Sequence, residues 1–472
     1  MKTRIPTLLV VFLLIFLASL PKTWAVNPPP DGGYPGGNTA EGDSALASLT
    51  TGFYNTAAGI FSLLSISDGN FCTGVGAGTL LVNTADSNTA TGAGALLSNT
   101  DGTENTANGT FSLFSNTTGG ANTAVGASAL LNNTQGNFNN AIGDQTLLNN
   151  TTGTENTANG AFALSANTDG SFNTAIGAFA LANNTGSENT AIGVNALFNT
   201  TAGANTAVGG NALDQNTTGF QNVAVGHNAL TTNVEGSFNT ALGKSALALN
   251  TGDGNTACGN VALFNNTGSN NTALGNIAGS NLTTGDNNID IGYNVGGVAA
   301  ESNTIRIGND DITATFIAGI SGATASGGSQ VFVNSSGKLG TSTSSARFKE
   351  DIKPMGKASE AILALNPVSF RYKKEIDAQG IPQFGLVAEE VEKVNPDLIV
   401  RDRRGKPQTV RYEQINAMLL NEFLKEHAKV QRLEAALQAV NQRLEDQEAK
   451  IEKVRGQVDS SSAAAQVTVT NR

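Results

Sequence analysis

The chain has 472 residues, 55 of them glycine, with 39% hydrophobic, 14% charged and 6% aromatic side chains, a composition that excludes both a solvated polyelectrolyte and a collagen. The net charge of -11 is unevenly placed: residues 26–343 carry three basic side chains (Lys244, Arg306, Lys338) against 19 acidic ones, and the last 129 residues carry 21 against 19. Phosphate backbones would be repelled by the first of these segments, which excludes nucleic acid as its partner.

Residues 1–25 read as a secretory signal peptide. Lys2 and Arg4 form a basic start, Leu8 to Leu20 an apolar run, and Thr23-Trp24-Ala25 a small-x-small site, so cleavage is expected between Ala25 and Val26. The apolar run is about 13 residues, short of the 18 or so that a span requires, and no later segment is long or apolar enough. The mature chain is expected to be secreted or held at the cell surface, with no transmembrane span. Residues 26–37 form a Pro/Gly-rich leader.

From Asn38 the motif Asn-Thr-Ala-x-Gly-x-x-(Ala)-Leu recurs, its glycine running from Gly42 to Gly308 in steps of 16 or 17 residues, seventeen times in all. A fixed short period marks a solenoid whose units are stable only when stacked, and the unit is too short for helical repeats, which need about 33 residues. Asn, Thr and Gly clusters between short apolar stretches suit a coil of two short strands and two turns. The fold class expected over residues 38–320 is therefore mainly β, a parallel β-solenoid or β-roll. Stacking about 4.8 Å apart places Leu46, Leu80, Leu96, Leu130 and Leu230 in one apolar column and Asn and Thr in corner ladders. Ala two before the glycine (Ala40, Ala57, Ala124, Ala175, Ala241) marks close approach of another backbone, either in a thin solenoid core or at a three-fold axis.

Several apparent motifs dissolve into this period. Cys72 and Cys258 lie eleven coils, about 50 Å, apart and cannot pair within one chain, leaving two thiols in place of small residues or a bridge between chains. Ala241-Leu242-Gly243-Lys244-Ser245 has the end of a phosphate loop, but Phe238 stands where its first glycine belongs. His227 and His427 are far apart and make no metal cluster or triad. Asp286, Asp290, Asp310 and Asp311 read as a solvated acidic turn, with Ca²⁺ binding as the other reading. No cofactor and no metal is expected.

After Gly308 the period stops. A Gly/Ser-rich junction (321–343) precedes a charged, mixed segment, in which Ala358–Leu365 reads as helix, Val368–Tyr372 as strand and Val387–Val394 as amphipathic helix. From Val430 a heptad runs with a positions Val430, Leu437, Leu444, Ile451 and Val458 and d positions Leu433, Val440, Gln447 and Val454, a coiled coil over 430–458 with a disordered tail at 459–472.

Two resemblances follow. The Asn-Thr-Ala-Ile-Gly signature resembles the head repeats of trimeric autotransporter adhesins, which implies stacked β-roll coils; that family's C-terminal barrel has no counterpart here, so membrane anchoring by that route is not carried over. Ser344-Ser345-Ala346-Arg347-Phe348-Lys349-Glu350-Asp351-Ile352, then Asn366-Pro367-Val368-Ser369-Phe370-Arg371-Tyr372, Gly385-Leu386-Val387-Ala388-Glu389-Glu390-Val391 and the terminal helix, resembles the intramolecular chaperone auto-processing domain of endosialidases and phage tail spikes. That resemblance implies a small α+β domain over 344–429 that ends in a trimeric coiled coil, templates the β-rich fibre before it and releases itself. It implies Ser344 as nucleophile, Lys349 as its base, Arg347 in support and Thr343-Ser344 as the scissile bond; Ser345 stands where the family has an acidic residue.

The expectation is an exported homotrimeric fibre, adhesin-like, with a surface glycan or a host or matrix ligand as partner. The export signal favours an envelope protein over a tail part. The only catalysis expected is a serine peptidase acting once on its own chain. The competing reading is an uncleaved ice- or polysaccharide-binding solenoid with a plain trimerisation cap.

Overall fold

The computed structural model describes residues 34–469 apart from 319, 321–325, 335 and 403, with side chains up to 462. The expected signal peptide, its Ala25-Val26 bond and the leader up to residue 33 lie outside the described residues. The chain divides into two compact units between Phe316 and Ile317.

In the first unit, seventeen three-residue strands run from β1 (Thr39–Glu41) and β2 (Thr56–Ala58) to β16 (Ile289–Ile291) and β17 (Ile305–Ile307). Each pairs in parallel with the next in the chain, and like meets like: Thr39 lies beside Thr56 and Ala40 beside Ala57. This is a parallel β-solenoid. Each coil has one named strand rather than the two expected. Three residues per coil take left-handed backbone, as at Phe61 (φ 59°), Leu63 (φ 51°) and Phe71 (φ 58°), which breaks any second extended run. The ladder between coils nonetheless continues through the turns, where Leu46 N–H donates to Ser62 O at 3.1 Å and Ser48 N–H to Leu64 O at 3.2 Å.

The strand-centre alanines Ala57, Ala124, Ala175 and Ala241 are fully buried within the one chain, which decides for a thin solenoid core. The leucine column is buried as expected, each side chain contributing about 1.5–3 kcal/mol. At the repeated glycine, Gly126 has φ 139° and a Cβ there would stand 2.3 Å from Gly143 O, so only glycine lets two coils close.

The asparagine ladders lie inside this core. Asn139 donates its backbone N–H (2.9 Å) and its Nδ2 (3.1 Å) to Asn122 Oδ1, and Nδ2 also reaches Gly153 O at 2.9 Å. A second buried ladder runs through Asn116 and Asn133. These amides satisfy turn carbonyls that burial would otherwise leave bare. Threonines do stand at the corners, Thr117 Oγ1 donating to Thr134 O at 2.9 Å. Cys72 occupies a ladder position and is fully buried, its N–H on Asn55 Oδ1 at 2.9 Å; burial raises its thiol pKa and removes the inter-chain bridge considered for it. Both cysteines are free.

The second unit holds three antiparallel pairs: β18 (Val331–Val333) with β19 (Leu339–Thr341), β20 (Val368–Phe370) with β21 (Gln383–Gly385), and β22 (Ile399–Arg401) with β23 (Pro407–Val410). Among them lie 3-10 turns at Ala346–Phe348 and Gly356–Ala364 and the helix α1 (Ala388–Val394). A small core of Val391, Leu398, Ile399, Val410, Ile415 and Met418 joins α1 and the last strand pair to the helix α2 (Tyr412–Val469). That helix runs past 458 into the segment expected as a disordered tail, where Ala463-Ala464-Ala465 are strong helix formers.

Candidate functional site

Ser344 and Lys349 flank the single 3-10 turn Ala346–Phe348. Phe348 N–H closes on Ser345 O at 3.0 Å and Lys349 N–H on Ala346 O at 3.1 Å, which folds the chain back and brings Lys349 Nζ 3.2 Å from Ser344 Oγ. Thr343, Ser344 and Lys349 are all exposed in the single chain. A lysine serves as general base when desolvation removes its proton, so this geometry orients the serine hydroxyl while water still reaches both groups. Arg347 lies over the Phe348 ring, its guanidinium carbon 4.6 Å from the ring centroid.

A second serine–lysine contact lies in the same unit, and its sequence spacing conceals it. Ser359, fully buried, donates to Glu422 Oε1 and accepts from Asn421 Nδ2 at 2.6 Å and Lys425 Nζ at 3.4 Å. Lys425 also pairs with Glu422 at 2.7 Å and Glu360 at 3.3 Å. The hydrogen bond to Glu422 raises the lysine pKa, and that to Lys425 lowers the glutamate's. A lysine so held stays protonated, and the cluster pins the Gly356–Ala364 turn to α2. Only the i,i+3 spacing of Glu422 and Lys425 was readable; their partner is more than sixty residues away.

The acidic residues at the end of the solenoid separate. Asp286 faces outward and accepts from Ser269 N–H at 2.7 Å. Asp290 takes the place of the core alanine in β16 and is fully buried with neither carboxylate oxygen hydrogen-bonded. It is therefore no part of a solvated turn. Desolvation pushes its pKa to about 6, against the pull of Arg306, its register partner in β17, whose guanidinium pairs with Glu301. Among the described residues no group of three or more His, Cys, Asp and Glu side chains could hold a metal ion. Gly243-Lys244 follows a core strand as an ordinary coil turn.

The fold defines a class: a stacked-coil β-solenoid joined to a small module that begins at the Ser344 turn. Residues 344–400 match a peptidase family described as the chaperone of endosialidase. The match begins at Ser344 and takes in the turn, β20, β21 and α1. No curated protein matches the chain. Chaperone module and solenoid together fit a tail-fibre-like protein. No described helix is long and apolar enough to cross a membrane.

Proposed function

We propose that the chain is an exported homotrimeric fibre whose C-terminal module aligns three chains, assists folding of the solenoid and then releases it by cutting Thr343-Ser344. The observation that carries this reading is the family match beginning at the very serine that the Lys349 amine touches at 3.2 Å. In the cut, Ser344 Oγ attacks the Thr343 carbonyl carbon as its proton passes to Lys349. The C–N bond breaks, the Ser344 nitrogen takes the proton, and water hydrolyses the resulting ester to leave a Thr343 carboxylate.

The unpartnered apolar surface of the second unit supports assembly with further copies. Phe384 is 86% and Leu363 74% exposed, and the heptad positions Leu433, Leu437, Leu444 and Ile451 are all exposed. An open apolar groove between β20–β21 and α2, lined by Leu365, Pro367, Phe384 and Leu419, continues that surface. A coiled coil of local contacts forms early, whereas stacked β-coils close slowly and expose sticky edges while incomplete. Packing three copies around the Ser344 turn would supply the water exclusion that the single chain lacks.

Intact mass of the purified protein tests the reading. Two fragments that meet at 343/344, replaced by one full-length species in Ser344→Ala and Lys349→Ala, are expected. An unbroken wild-type chain would leave a non-cleaving trimerisation module.

A further inference from the structure

The residue before each ladder asparagine occupies one equivalent point at the edge of every coil. Its N–H donates to the preceding coil at Phe138 (to Gly120 O), Glu155 (to Asn137 O), Phe172 (to Thr154 O) and Phe238 (to Phe220 O), at 3.0–3.1 Å. Its backbone is left-handed throughout, with φ 58° at Tyr54 and Phe71, 57° at Phe138 and 60° at Phe172 and Phe238. Gly254, Asn270, Asn287 and Asn303 fill the same point with the residue types that conformation favours. An aromatic residue there is strained, and it gains little burial in return, since Tyr54, Phe71, Phe138, Phe172 and Phe238 are more than half exposed. Neither backbone preference nor core packing accounts for these rings, and strain kept for little packing gain points to use.

The other large members of the column are the exposed carboxylates Glu104, Glu155 and Glu188 and the exposed amide Gln221. Phe138, Glu155, Phe172 and Glu188 sit on four successive coils, so aromatic and acid alternate along about 14 Å. At one end Tyr54 and Phe71 stack (5.6 Å, 16°), and further along Phe220 meets Phe238 edge-on at 4.9 Å. The carboxylates nearest these two ring sites, Asp86 and Asp253 on the next coil, are each engaged by a backbone N–H, of Asn70 and Ser237, at 2.7 Å, which favours a ligand that stacks by an apolar face over a cation. A pyranose with its axial hydrogens on one face stacks on such a ring, and its equatorial hydroxyls donate to flanking carboxylates. The strongly acidic charge of residues 26–343 repels anionic polymers.

We propose that this edge binds a neutral polysaccharide of β-linked pyranoses laid along the coils, with Phe138 and Phe172 as stacking platforms and Glu155 and Glu188 as hydroxyl acceptors. The inference rests on reading the solenoid as a display rod, but binding is read apart from processing, so the uncleaved Ser344→Ala protein should bind as the wild type does.

The test is affinity electrophoresis of the full chain through gels containing hydroxyethyl cellulose, glycol chitin or soluble xylan. Retardation by at least one of them, persisting at high salt, is expected. Phe138→Asn combined with Phe172→Asn should abolish it while leaving the melting temperature equal or higher, because asparagine suits left-handed backbone; Glu155→Gln should weaken it. The proposal falls if no neutral glycan retards the wild type or if the double variant is retarded equally. It falls also if retention vanishes with salt, the mark of an ionic ligand, or if the double variant changes oligomeric mass, the mark of a contact between copies.

Discussion

The two units solve opposite problems. The solenoid buries its strand-centre alanines, its leucine column and its ladder asparagines within one chain, layer upon layer, by repeating one rule seventeen times. Among its described residues the C-terminal unit buries six apolar side chains in its core and leaves Phe348, Ile352, Leu363, Phe384 and a long heptad seam in water. A single copy thus completes the first and leaves the second unfinished. Low complexity builds an elongated core but carries no start signal, because every coil matches every other and register can slip. In the proposed function, the charged, non-repeating unit would supply the unique pairing that the repeat lacks.

The sharpest way to break this contrast is to remove the seam. Leu437→Asp with Leu444→Asp should reduce the proposed trimer to monomers by sedimentation, since charges at two a positions would abolish a coiled coil there. Within the solenoid, Gly126→Ala should be the most damaging small change. Its Cβ would meet the backbone Gly143 O at 2.3 Å, which no side-chain shift relieves. A loss of more than about 4 kcal/mol, read by thermal unfolding, is expected. Leu130→Ala leaves a cavity in a column that collapses little and should cost about 2–5 kcal/mol by the same measurement.

The smallest effect sharpens the view of the solenoid as self-sufficient at all but its last layers. Asp290 is the one described core position with an unbonded carboxylate, and its pKa is raised to about 6 from an ordinary value near 3.8. The folded state therefore binds the proton more tightly than the unfolded one. Stability contributed by this group is full below about pH 4 and is lost as pH rises through 6. Asp290→Asn should raise stability at pH 7 by about 1–2 kcal/mol and flatten the melting temperature between pH 4 and 6.5.

The coil was legible because its information is local and repeated: Gly42 to Gly308 set the period, and the leucine column and strand-centre alanines followed from stacking alone. Positions where the repeat is broken by one residue were not. Asp290 looks like any surface acid in sequence, and only its register, in line with Ala273 and Arg306, places it in the core. Each coil has one strand rather than the two its sequence suggests because Leu63 and its equivalents adopt left-handed backbone, which leucine rarely does and which no propensity announces. In the C-terminal unit, motif order located the Ser344 turn, whereas the Ser359, Glu422 and Lys425 cluster joins residues that only the fold brings together.

Expression of the chain ending at Thr343, compared with the full chain by sedimentation and circular dichroism, tests the division of labour most directly. The account predicts that the shortened chain accumulates as aggregate or unfolded monomer, while the full chain yields a soluble three-chain rod. A shortened chain that reaches the same soluble particle in comparable yield would contradict it.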